Sequence, residues 1–185
     1  MKKYIGLILV VITTAYSVYY ASLGGFKGNG GALSKIGLTH PLLFVLWGAL
    51  TFITLTYLLL LSYSEIKYSF YKYLIALSLA GMLMTVLFDF DYDEKFQYYI
   101  HCTGSLMFSV VTSINVFSLF MISKRYVLSC ICAVIVTADF ILLLIFKETA
   151  FIELFPVFTG YVLLLINVFT KRRCAVEAQS FAQRK

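Results

Sequence analysis

Charge is what this chain has least of. Asp, Glu, Lys and Arg make up 13% of its 185 residues, about half the share a soluble domain carries. A water-soluble fold is excluded on that ground. Two prolines and one tryptophan leave no material for a proline-rich linker. Two histidines exclude a three-histidine zinc site. There is no HExxH, no GxSxG, no P-loop and no paired CxxC. No basic residue lies inside an apolar segment except near its ends, which excludes a retinal lysine and a voltage-sensor row. The formal net charge of +6 does not point to nucleic acid, because the basic residues sit in short connections between apolar runs.

Apolar residues are what the chain has in abundance, at 61% of the total and a mean hydropathy of +0.90. A spanning helix needs about 20 of them in succession. Six such segments are present: 4–22, 42–63, 68–88, 96–122, 126–146 and 151–170. The sequence therefore predicts an all-α, polytopic membrane bundle of six transmembrane helices in one domain over 1–185. The fifth and sixth segments are joined by only a few residues around Lys147 and Glu148, which forces an antiparallel hairpin.

Orientation follows from the basic residues. With the N-terminus in the cytoplasm, the inner segments carry Lys2, Lys3, Lys67, Lys72, Lys124, Arg125, Lys171, Arg172, Arg173, Arg184 and Lys185. The outer ones carry only Lys27, Lys35, Lys95 and Lys147. The positive-inside rule thus predicts both termini in the cytoplasm. Lys2 and Lys3 before Ile5–Ile12 resemble a secretory signal, with Thr13-Thr14-Ala15 as a cleavage site. The apolar run continues to Ala21, so an uncleaved first helix is expected.

The outer stretch LGGFKGNGGALSKIG, Leu23 to Gly37, reads as the one long irregular segment, either a linker or a lid-like loop over an outer pocket. Tyrosines gather near the helix ends as interfacial belts. Of four cysteines, Cys130, Cys132 and Cys174 fall on the cytoplasmic side and Cys102 alone outside, so no disulfide is expected. Cys174 follows a basic run and is a candidate for acylation in a eukaryotic host.

The acids gather on one side. Only Glu65 and Glu177 are cytoplasmic, whereas Asp89, Asp91, Asp93, Glu94, Glu148 and Glu153 lie at the outer face with His40 and His101. Asp89 follows Leu87-Phe88 directly and is placed at the membrane edge. Asp89, Asp91 and Asp93 start like a calcium loop, but Glu94 stands at the sixth position and Ile100 at the twelfth, so an EF-hand is rejected. His101 opens a polar stripe. On a helix, Ser105 lies at about 40° from it, Ser109 at about 80°, Thr112 at about 20° and Asn115 at about −40°. Such a stripe either bonds neighbouring helices or lines an outward-opening cleft with His101 at its mouth. Asp139 is the one acid deep in a helix, roughly 12 Å from its outer end. Its cost there, about 2.5–3.5 kcal/mol, calls for protonation, a hydrogen bond or a cation. Asn167 reads as structural.

Two stretches resemble a known family. LSKIGLTHPLLFVLWGAL (Leu33 to Leu50) and LFDFDYDEKFQYYIHCTGSLMF (Leu87 to Phe108) resemble segments of the six-helix membrane proteins of domain-of-unknown-function family 998 and the Frag/DRAM/Sfk group. The matching residues are Ser34 and Gly37, then Phe88, Asp89 or Asp91, His101 and Gly104. Lys35-Ile36 departs from the family's acidic third residue, and the turn lacks the family's proline. The resemblance implies a lipid-related role, with His101 and a turn aspartate among the recurring polar residues.

Three functions stand at this level. The first is a non-enzymatic binding, protective or regulatory bundle, requiring no cofactor, with the lipid bilayer and a lipid ligand or membrane protein as partners. The second is a lipid-active enzyme with catalytic candidates His101, Asp89 and Ser105, and a divalent metal on His40, His101, Asp89 and Asp91. The third is a small transporter in which Asp139, Ser109, Thr112 and Asn115 pass a proton or cation.

Overall fold

The computed structural model describes residues 1–25, 31–64, 66, 68–147 and 149–182, with side chains to residue 170. Expectations resting on Lys27, Gly28, Gly30, Glu65, Lys67, Glu148, Cys174, Glu177, the basic run Lys171 to Arg173, Arg184 and Lys185 fall outside that description. Among the described residues every regular element is helical: α1 (Lys2–Ser22), α2 (Leu33–Thr39), α3 (Pro41–Tyr63), α4 (Tyr71–Leu87), α5 (Lys95–Ile122), α6 (Tyr126–Phe146) and α7 (Ala150–Ala182).

All six expected apolar segments form helices. Five are long and apolar enough to cross a membrane, α7 through Ala150–Thr170. The sixth, α4, has 17 residues, about 25 Å of helix against a hydrocarbon core of about 30 Å. It begins three residues later than the sequence suggests. The rings of Tyr63 and Tyr71 stack at 4.2 Å across the connection from α3, and Tyr68 to Phe70 are drawn into the turn. The helices present their apolar surface outward. The most apolar, α6, has only 11% of its spanning window buried, with Val127, Val134 and Leu144 exposed. A lipid solvent accounts for that surface, so the chain is an integral membrane protein.

Glycine sets the closest crossing. A Cβ on Gly104 of α5 would stand 2.5 Å from Met84 Cβ and 2.7 Å from the Gly81 carbonyl oxygen. One on Gly81 of α4 would stand 2.6 Å from the Phe108 nitrogen. The two backbones therefore touch, as small residues permit in membranes. Between α1 and α3 the contact is polar. The Thr13 and Thr54 hydroxyls meet at 2.7 Å, and Trp47 Nε1 donates to Ser17 Oγ at 3.1 Å.

The largest departure from expectation is α2. Part of the segment read as irregular is a helix, with Leu33, Ser34, Ile36 and Gly37 buried. Seven residues are too few to hold a helix alone, so tertiary contacts must form it. Its end is local. His40 precedes Pro41 and takes φ −134°, ψ 61°, since proline disfavours the α conformation in the residue before it. Pro41 then starts α3, where its missing N–H is not needed.

Candidate functional site

The residues that fasten α2 meet at one end of the bundle. Glu153 lies in the first turn of α7, where a carboxylate suits the helix dipole. Its Oε2 accepts the backbone N–H of Leu33, an unsatisfied donor of the first turn of α2. Its Oε1 accepts the Ser34 hydroxyl at 2.9 Å. His101, in the second turn of α5, brings Nε2 to within 3.1 Å of the same Ser34 Oγ. Its Nδ1 lies 2.9 Å from the Phe88 carbonyl oxygen, at the start of the turn between α4 and α5. From α1, Tyr20 donates to the Leu33 carbonyl at 3.0 Å. Three helices thus close on α2, and the turn between α4 and α5 braces His101.

The site is sealed by aromatic rings. Phe44 of α3 stacks on His101 at 6.0 Å, and Phe90 from the turn meets the imidazole edgewise at 5.1 Å. Only 1% of His101 and 8% of Ser34 are exposed. Gly37 makes room for the Phe44 ring, which lies 3.0 Å from where a Cβ would be. On the outside of the turn, Lys35 sits over the Tyr92 ring at 5.2 Å.

Counting hydrogens constrains the chemistry. The Phe88 carbonyl can only accept, so Nδ1 of His101 carries a hydrogen. The single Ser34 hydrogen cannot serve Glu153 and Nε2 together. With Ser34 donating to Glu153, Nε2 donates to Ser34, and the unit is an imidazolium and a carboxylate joined through a hydroxyl. The alternative with both contacts kept moves one proton along each link, to a carboxylic acid and a neutral imidazole. Net charge is zero in both. The order is not that of a hydrolytic triad, in which the histidine stands between serine and acid. Here the serine stands in the middle.

The sequence-derived candidates separate. His101 is central, and it is buried rather than at the mouth of a cleft. His40 and Asp89 are exposed. The Asp89 backbone N–H is bonded to Gln97 Oε1 at 3.2 Å. Asp91 accepts from the Asp93 N–H at 3.0 Å within its own turn. Among the described residues no group of three or more His, Cys, Asp or Glu could hold a metal ion, and both His101 ring nitrogens already face protein atoms. The proposed set of His40, His101, Asp89 and Asp91 is therefore not gathered.

The polar stripe of α5 is spent mainly on neighbouring helices. Thr112 donates to Ser78 Oγ at 3.1 Å, and Asn115 Nδ2 donates to the Tyr71 carbonyl at 3.4 Å. Ser105 is half-buried beside His101, and Ser109 is exposed. Asp139 is half-buried on the face of α6 that also carries Ser129 and Cys132, and its Oδ1 is buried with no hydrogen-bond partner. Sequence reasoning missed Glu153 and Ser34 as partners of His101. In the sequence Glu153 reads only as one of the acids at the outer face, and Ser34 enters only through the family resemblance. Comparison of the chain with protein-family models, with curated proteins and with solved structures finds no match.

Proposed function

We propose that this is a non-enzymatic membrane bundle that binds or regulates a lipid or protein partner, with α2 as a cap latched at its outer end. In this reading α4 tilts little and spans a locally thinned bilayer, giving six spans with both termini in the cytoplasm of a bacterial cell. The observation that carries it is the Glu153–Ser34–His101 chain, whose polar atoms hold α2 in place with Ser34 and His101 buried. Ser34 and His101, which come from the two separate stretches that resemble family 998 and the Frag/DRAM/Sfk group, touch at 3.1 Å. Assay of the purified protein for phospholipid hydrolysis, with and without divalent metal, is expected to give no turnover. Turnover that Ser34→Ala abolishes would overturn the proposal. With the native cysteines replaced by serine, a cysteine at exposed Leu38 should react with an impermeant maleimide in intact cells, and one at Lys2 only after lysis. The reverse pattern contradicts the orientation.

Asp139 supports a second reading, proton- or cation-coupled transport, because a buried carboxylate oxygen without a partner inside a spanning helix is costly. Proton flux into proteoliposomes that Asp139→Asn removes would favour it over the first.

A further inference from the structure

At the opposite end from α2, helices α5, α6 and α7 enclose a groove of about 810 Å³. It goes beyond the cap and its latch and shares no residue with them. Among the described residues two basic side chains line it, Lys124 and Arg125, from the tight turn between α5 and α6. Lys124 takes φ 56°. Arg125 N–H returns to the Phe120 carbonyl at 2.8 Å, so the two are presented at a fixed corner. The Arg125 guanidinium is steadied by one bond to Thr170 Oγ1, which leaves its other N–H groups for a ligand.

The N-terminus of α6 opens into the same space. Tyr126, Val127 and Leu128 line the groove, and no side chain caps the helix. Unsatisfied N–H groups and the positive end of the dipole suit an anion. A separate observation points the same way. Asn167 of α7 is 1% exposed and lines the groove, and its amide makes no hydrogen bond among the described residues. A buried amide without a partner is costly, and a ligand oxygen in the groove would satisfy it. The remaining wall is mostly apolar, with Ile66 and Ile166 beside Ser123. A free anion has no use for that wall, whereas an acyl chain does.

We infer that this groove binds the phosphate of an anionic phospholipid headgroup, with Lys124, Arg125 and the α6 N-terminus on the phosphate and Asn167 on a headgroup or ester oxygen. Basic pockets between spanning helices suit such headgroups. The test is native mass spectrometry of the full chain, delipidated in neutral detergent and titrated with phosphatidylglycerol or phosphatidylcholine. Phosphatidylglycerol is expected to bind more tightly. Each basic side chain should contribute about 5-fold, so K124Q/R125Q should weaken it about 25-fold. Lys95→Gln, at the other end, should not change it, and Arg125→Lys should keep most of the binding. If the double variant does not fold, Arg125→Gln alone should show the roughly 5-fold loss. Equal affinity for the two lipids, equal binding by K124Q/R125Q, or a matching loss in Lys95→Gln would overturn the inference. So would inorganic phosphate binding that depends on Lys124 and Arg125 while lipid binding does not.

Discussion

Replacing Ser34 by alanine removes one hydroxyl that ties two helices to the cap. The hydroxyl contacts Glu153 Oε1 at 2.9 Å and His101 Nε2 at 3.1 Å. Hydrogen bonds between spanning helices average about 0.6 kcal/mol, so two ordinary ones would be worth about 1.2 kcal/mol. Bonds to charged groups run at about 1.5–3 kcal/mol each. The Ser34 pair has a carboxylate at one end, and the ring that shares it is 1% exposed. Ser34→Ala is therefore expected to lose about 2–3 kcal/mol. The single tryptophan reports the change directly. Trp47 stacks on Phe44 at 5.7 Å, and Phe44 stacks on His101. Its fluorescence during unfolding in mixed micelles gives the stability. A double-mutant cycle with Glu153→Gln isolates the pair, and its coupling should exceed about 1 kcal/mol. A loss below about 1 kcal/mol with coupling under about 0.5 kcal/mol would refute a latch built on Ser34.

Three further outcomes follow from the geometry. Gly104→Leu drives a side chain into Met84 and the Gly81 carbonyl, so it should cost more than about 3 kcal/mol and appear as lost folded yield, whereas Gly25→Ala, with no atom within 4 Å of a Cβ, should cost far less despite its positive φ. Thr54→Val breaks the bond to Thr13 in a buried contact and should lower stability by about 0.6–1.7 kcal/mol in the same unfolding assay. Asp139→Leu removes a buried oxygen that has no partner and should raise stability by about 1–3 kcal/mol; a loss of that size would show that Asp139 has a favourable partner.

Much of the helical layout could be read in the sequence, because a spanning helix is a local feature. Tyr126–Phe146 has the bounds expected of it. His101 also stood out, because it heads a polar stripe in an apolar chain. The stripe's angles were informative for Thr112 and Asn115, which face other helices, and less so for Ser109, which lay at its edge and is exposed. What was not legible was the joining of distant parts. Ser34 and Glu153 are 119 positions apart, and Ser34 and His101 are 67 apart. No periodicity or spacing encodes such a meeting. The helix α2 was hidden for the same reason. Its seven residues lack the length to declare themselves, and their order comes from Tyr20, Phe44, His101 and Glu153 on other elements. The acids of the 89–94 turn drew attention by number, yet the buried member of that turn is Phe90, which covers the imidazole.

The ring of His101 tests the latch most directly. His40→Gln leaves one histidine in the chain, and nitrogen-15 spectra of that variant in lipid bilayers report which ring nitrogens carry hydrogen. Bonding to the Phe88 carbonyl requires a hydrogen on Nδ1, whichever way the proton is shared through Ser34. A protonated Nδ1, and an Nε2 signal that changes in Ser34→Ala, are the predicted results. A bare Nδ1 with the hydrogen on Nε2 alone, or spectra unaffected by Ser34→Ala, would contradict the account.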